Sequence, residues 1–236
     1  MSKARIYLPD AEINESITIE SKETLHKIKD VLSLKKSEKV YVFNGSGKEF
    51  VYEIGDISRE QLLLINRSAN RQENEIKMKI VLAIPLIQEQ RLEYILEKAT
   101  ELGVDTFQPF ICERSIRENP SLARLERWKR VVLEATRQSE RLWTPEIKDI
   151  LNFDELIQKD YKTKICAYIE GSYIKDIKIG DKENILLVVG PVGDFSPQEI
   201  DKMKNRNFCF IKLAENILRV ETASVFLTGL VKYLLN

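Results

Sequence analysis

Residues Ile185 to Ile200 read ILLVVGPVGDFSPQEI, and this stretch decides the fold. Ile185 to Val189 is apolar without alternation, the pattern of a strand covered on both faces in a parallel sheet. Ser196-Pro197-Gln198-Glu199 is a helix start: serine at the cap, proline where a missing N–H costs nothing, and glutamate three residues after the serine. Gly190 to Phe195 is therefore a loop between a buried strand and a helix, in which Gly190 and Gly193 permit a tight turn or a close approach to a ligand. Taken alone, the glycines fit a plain βα turn equally well. KLAENILRVETASVFL, Lys212 to Leu227, repeats the plan of apolar run, small-residue loop and helix.

Working outward, KIVLAIP, TFQPFIC, KICAYIE and NFCFIKLA read as further strands of the same sheet. Between them, Leu92, Ile95, Leu96, Ala99 and Leu102 recur at helical spacing with Gly103 as the stop, and a long helix is predicted from about Ser121 to Ser139. Asn152 with Glu155 three residues on opens a short helix. The last helix starts near Arg219 and carries Ala223, Phe226, Leu227, Leu230, Val231 and Leu234 on one apolar stripe. The N-terminal part differs: short alternating runs and the Asn44-Gly45-Ser46-Gly47 hairpin loop predict a small β-barrel or sheet. NRSANRQENE, Asn66 to Glu75, is polar throughout and is read as the boundary between residues 1–70 and an α/β domain over 71–236.

Composition excludes more than it names. The 37 basic and 37 acidic side chains cancel, so net charge specifies no partner. From Arg114 to Arg141 eight Lys/Arg face four Asp/Glu, a local excess suited to phosphates or to an ordinary solvated helix face. Cys112, Cys166 and Cys209 are far apart in apolar runs and read as reduced core residues. His26 is the single histidine and reads as structural, so histidine-based zinc sites and Ser-His-Asp hydrolysis have little support, and no metal is expected. No signal-peptide pattern and no membrane-length apolar run is present, so a cytoplasmic location away from membranes is expected. No GxGxxG follows a predicted strand and no GxxxxGK[ST] exists, which argues against ordinary dinucleotide and nucleoside-triphosphate folds. Both special loops nevertheless lie at the carboxyl ends of apolar strands, where open α/β sheets bind ligands. Ala214 to Arg219 offers main-chain groups and aliphatic side chains suited to a flat, largely apolar group such as adenine, which points to S-adenosylmethionine.

VVGPVGDFSPQE, LAENILRVETA, LEKATELGV followed by QPF, and EATRQSERLWTPEI together resemble the bacterial 16S ribosomal RNA (uracil-N3) methyltransferases of the SPOUT class, over almost the whole chain. Arg5, Tyr7, His26 and the VYVFNGSGKEF hairpin are similar to that family's PUA-like module. The resemblance implies a C-terminal trefoil-knotted domain in which Gly190, Pro191, Gly193, Leu213, Asn216, Ile217 and Leu218 hold S-adenosylmethionine through main-chain contacts. It implies 16S ribosomal RNA or the small ribosomal subunit as partner, and a homodimer. Arg219, at the start of the last helix, is the candidate for stabilising the uracil N3 anion, with Glu221 supporting it. Arg5, Arg114, Arg137 and Arg141 are candidates for holding RNA. The chain departs from the family's G-P-E-G-G-F loop at Val192 and Asp194, and Ala214, Arg137 and Glu140 also stand where the family has other residues. An aspartate at a glycine place of positive φ implies strain there. The departures leave two alternatives open: a different RNA substrate, or an RNA-binding protein without cofactor affinity.

Overall fold

The computed structural model describes residues 4–9, 15–58, 60–73, 78–173 and 184–235. Its contacts divide the chain into two units, one of residues 1–75 with 136–144 and one of 76–135 with 145–236.

In the first unit, β1 (Arg5–Tyr7), β2 (Ser16–Ile19), β3 (Lys39–Phe43), β4 (Lys48–Ile57) and β5 (Leu62–Gln72) form a mixed sheet in the order β1-β3-β4-β5-β2. β1 pairs with β3 in parallel and the other pairs are antiparallel. Its core gathers Val40, Val42, Phe50, Tyr52, Ile54, Leu62 and Leu64 under Leu25 of α1 (Lys22–His26) and Ile28 of the π-helical turn that continues it. The predicted hairpin loop is present, with Gly45 at φ 74° and Gly47 at φ 92°. The first unit's N-terminal part ends at residue 75, the end of the stretch expected to be the boundary, but that stretch is strand as far as Gln72: Asn66 pairs with Tyr52, Asn70 with Phe50 and Gln72 with Lys48. Ladder hydrogen bonds hold this arm whatever its side chains. The segment 136–144 joins the same unit through a bridge between Ser46 and Trp143, with Gly47 N donating to Leu142 O at 3.0 Å and Thr144 N to Gly45 O at 2.9 Å.

The second unit is α/β. Its elements are β6 (Ile80–Pro85), α2 (Glu89–Glu101), β7 (Thr106–Ile111), α3 (Leu122–Gln138), β8 (Glu146–Ile147), β9 (Leu151–Asn152), α4 (Phe153–Gln158), β10 (Thr163–Ser172), β11 (Ile185–Val189), α5 (Pro197–Lys204), β12 (Cys209–Ile211) and α6 (Val220–Leu234). The strands run β12-β10-β11-β6-β7-β8, with β9 also on β7, and every pair is parallel. Successive residues of a strand point to opposite faces, and here both faces are covered. Ile80, Leu82, Ile84, Leu187 and Val189 pack with Ile95 of α2, Trp128 of α3 and Leu227 of α6. Val81, Ala83, Leu186 and Val188 pack with Leu156 of α4 and Met203 of α5. This two-sided burial explains the unbroken apolar runs.

Local signals were obeyed closely. Ser196 and Glu199 form a capping box on α5, and Asn152 with Glu155 forms one on α4. Gly103, at φ 97°, follows the end of α2. Two expectations need correction. Cys209 is exposed, because it sits on the edge strand β12, whereas Cys112 and Cys166 are buried. The apolar stripe of α6 is split: Ala223, Leu227 and Val231 are buried, but Phe226 and Leu234 are 46% and 47% exposed. Their places on the inner face go to Ser224 and Thr228, which are fully buried. Thr228 Oγ1 donates to Ser224 O at 2.8 Å, so this hydroxyl is satisfied within its own helix and lets the helix lie close to its neighbours. No helix among the described residues is long and apolar enough to cross a membrane.

Candidate active site

At the carboxyl ends of β10, β11 and β12 lies a cavity of about 480 Å³, within the usual range of small-molecule sites. Its walls come mainly from three stretches: Ala167 to Ile169 within β10, Val189 to Asp194 at and after the end of β11, and residues between Leu213 and Val220 leading into α6. All seven residues expected to contact a cofactor fall on or within these walls: Gly190, Pro191, Gly193, Leu213, Asn216, Ile217 and Leu218.

The first loop is a tight turn in which Asp194 N donates to Pro191 O at 2.9 Å. Gly193 has φ 87°, the conformation that the third residue of a type II turn requires. Asp194 follows at φ 64°, so the side chain does occupy a left-handed position. It is tolerated because a short carboxylate bonds locally: Phe195 N donates to Asp194 Oδ1 at 2.8 Å. Burial pushes the Asp194 carboxyl above its ordinary range, while the Phe195 N–H and the Arg114 guanidinium pull it back. Arg114 Nη1 donates to the Gly193 carbonyl. Arg114, expected to meet RNA, is thus engaged with this loop. Val192 is 61% exposed, so its departure from the family pattern leaves the turn undisturbed.

The second loop is tied down at its start. Lys212 N donates to Ser172 O at 2.9 Å, and Lys212 Nζ donates to Glu215 at 2.7 Å, where the Tyr173 hydroxyl also donates. Leu218 packs on the core, whereas Ile217 is 88% exposed at the cavity. Arg219 is the N-cap of α6, with φ −68° and ψ 155° and no side-chain cap on the helix N–H groups. Its guanidinium makes no ion pair with Glu221 among the described residues, and Glu221 Oε2 is buried without a partner. Arg91, on the first turn of α2, also lines the cavity. Sequence reasoning missed it; only its helical position, beside the buried Leu92 and one turn before the buried Ile95, hinted that it faces the sheet's edge there. Among the described residues the charged side chains of the lining are Arg91, Asp194 and Arg219. No cluster of metal-ligating groups occurs among the described residues.

In the first unit, Arg5 requires a correction. It was expected to hold RNA, yet it is 3% exposed and fully engaged. Its Nε meets Glu49 Oε2 at 2.6 Å, its Nη1 and Nη2 donate to the carbonyls of Thr136, Arg137 and Arg141, and its guanidinium lies 4.2 Å over Phe43. A fork of donors suits this work, and burial keeps it from a phosphate. Arg137 and Arg141 lie half-buried on the segment that Arg5 holds. Glu140 between them has φ 57°. His26 is exposed and pairs with Asp30 at 2.8 Å.

A parallel sheet covered on both faces, with a small-molecule cavity made by two loops at its carboxyl edge, is the architecture of an α/β transferase or binding domain. The family profile described as RNA methyltransferase domain matches residues 74–232. Two relatives named ribosomal RNA small subunit methyltransferase E, from Synechocystis sp. and Rickettsia conorii, are each 30% identical to this chain. The first covers 94% of the chain and 75% of its own length, the second 95% and 93%. A crystal structure of the Neisseria gonorrhoeae protein of that name, bound to S-adenosyl methionine, is 26% identical, covers 98% of both chains and superposes with a TM-score of 0.84. The chain belongs to the RNA methyltransferase family of ribosomal RNA small subunit methyltransferase E.

Proposed function

We propose that this protein methylates N3 of a uridine in 16S ribosomal RNA, with S-adenosylmethionine as methyl donor. The observation that carries the reading is the cavity itself, built by the two loops at the carboxyl edge of the sheet. The residues present fit that donor. Gly190 and Gly193 allow close approach, the walls are largely aliphatic, and Arg91 and Asp194 offer charges complementary to its carboxylate and its cationic groups. Gly190, Pro191, Gly193, Leu213, Asn216, Ile217 and Leu218 hold it through main chain and aliphatic surface. When bound, S-adenosylmethionine supplies an electrophilic methyl group.

The chain's own part is to make N3 nucleophilic. Neutral uracil carries a proton there and offers no good lone pair, so the anion must be stabilised as the proton passes to solvent water. Arg219 does this from the N-terminal end of α6, where the helix dipole adds to its charge. Glu221 sits in the first turn behind it.

The first unit serves as the PUA-like RNA-holding domain, with Arg137 and Arg141 as its phosphate contacts. The C-terminal part is read as trefoil-knotted, on the strength of the resemblance; β10 and β12 lie close there, a Cβ on Gly171 standing 2.7 Å from the Ile211 backbone. The exposed Phe226, Tyr233 and Leu234 of α6 support a homodimer through that face. The protein works in the cytoplasm, where ribosomes are assembled.

Labelled S-adenosylmethionine incubated with unmethylated small ribosomal subunits tests the reading. Radioactivity is expected in 3-methyluridine. Label on another base removes the N3 assignment, and failure of adenosyl compounds to bind at millimolar concentration removes the enzyme.

A further inference from the structure

The cavity holds one acid among aliphatic walls, at a place where an aspartate is conformationally disfavoured. A left-handed φ of 64° costs an ordinary side chain on the order of 1 kcal/mol, and glycine at the same place would cost nothing. The acid is also built in. A Cβ on Gly190 would lie 2.6 Å from Asp194 Oδ1, so the absence of a side chain at Gly190 is what lets the carboxylate fold over the end of β11. Oδ1 is fixed by Phe195 N, and Oδ2 has no hydrogen-bond partner among the described residues.

We propose that Asp194 is the residue that selects the sulfonium form of the donor over its demethylated thioether product, by supplying the counter-charge to the sulfonium. The inference rests on the donor assigned above and deepens it. S-adenosylmethionine and S-adenosylhomocysteine share adenine, ribose, ammonium and carboxylate, and differ in one methyl group and one positive charge. Main-chain contacts from the two loops reach the shared parts and cannot tell the two apart. A carboxylate in a poorly hydrated wall can, because opposite charges interact strongly there. The same wall would favour release of the neutral product after each turnover.

Asp194 is faced by Arg114, which attracts its charge, by Glu170, which repels it, and by Cys166 and Tyr168 of β10; Arg91 and Arg219 line the same cavity. Burial raises its proton affinity, so discrimination should depend on pH.

Calorimetric titration of the full chain with each compound tests this, using wild type, Asp194→Asn and Asp194→Gly. Asparagine keeps the acceptor for Phe195 N and is well tolerated at positive φ, and glycine removes the strain, so the two variants guard against misfolding in different ways. The wild type is expected to bind S-adenosylmethionine more tightly than the thioether. Both variants should lose about tenfold in affinity for S-adenosylmethionine and less than about threefold for the thioether. The wild-type preference should also shrink from about pH 8 to about pH 4, and that of Asp194→Asn should not change. Equal losses for both compounds, or no loss for either, overturn the inference while leaving the donor assignment standing. A wild type that binds neither compound overturns the donor assignment, and the inference with it.

Discussion

Gly190 and Asp194 occupy complementary space: a Cβ added to Gly190 would meet Asp194 Oδ1 at 2.6 Å and the Phe195 ring at 3.2 Å. Phe195 is buried between Phe110 and Phe153, with ring centroids 6.3 and 5.8 Å away, so it cannot yield freely. Gly190→Ala should therefore displace the carboxylate, weaken S-adenosylmethionine binding at least tenfold and cost about 1–3 kcal/mol of stability. Combining it with Asp194→Gly should restore part of the stability. A double-mutant cycle on denaturant midpoints and calorimetric affinities measures the coupling.

Asp194 also sets a pH dependence of stability. Burial raises its carboxyl above the ordinary value of 3.8, so the folded chain binds this proton more tightly than the unfolded chain. The stability it contributes is complete below the unfolded value and is lost as pH rises through the folded one. Asp194→Asn should thus be more stable than wild type at neutral pH, and the difference should vanish toward acid. Urea unfolding at a series of pH values checks the sign.

Arg5 and Glu49 form an ion pair whose side chains are 2% and 4% exposed. Arg5→Ala leaves Glu49 buried and alone, which costs about 3–5 kcal/mol. It also releases the carbonyls of Thr136, Arg137 and Arg141, so hydrogen exchange should accelerate across 136–144 and ribosomal RNA affinity should fall. Thioether affinity should stay within about twofold, since the cavity's walls lie in the other unit.

Arg219→Ala should lower kcat about a hundredfold, the typical loss when a preorganised donor to a developing anion is removed. Cofactor affinity should change little. A fall in affinity equal to the fall in kcat would instead make Arg219 a cofactor ligand.

Tyr233 is 79% exposed on the outer face of α6, beside Phe226 and Leu234. Phe226→Glu with Tyr233→Glu should turn a dimer into a monomer in sedimentation without lowering the melting temperature of the chain at high dilution.

The sheet and its helices were legible because the signals there are local and redundant: unbroken apolar runs in β6 and β11, capping boxes at Ser196 and Asn152, a stop at Gly103. The cofactor loops were legible for the same reason, and the resemblance added which of their residues face the cavity. It even located strain at Asp194, an acid standing where the family pattern has glycine, which adopts positive φ. What stayed hidden depends on partners distant in sequence. Arg5 looked like a surface cation because nothing near it reveals Glu49 or carbonyls more than 130 residues away. The arm of β5 looked like a linker because backbone pairing leaves no mark on composition. Arg91 was overlooked because a single arginine on an exposed helix turn has no pattern of its own.

The return of residues 136–144 to the first unit limits how this protein can be taken apart. A fragment ending near residue 75 would lack the strand-like neighbour of Ser46 and Gly47, and its Arg5 would keep Glu49 but lose three carbonyl acceptors. No single cut yields both pieces whole. Recombination between relatives, or a laboratory graft of the N-terminal module onto another enzyme, must therefore carry two separate segments of sequence together, and a graft that moves only the first leaves that module without its returning segment.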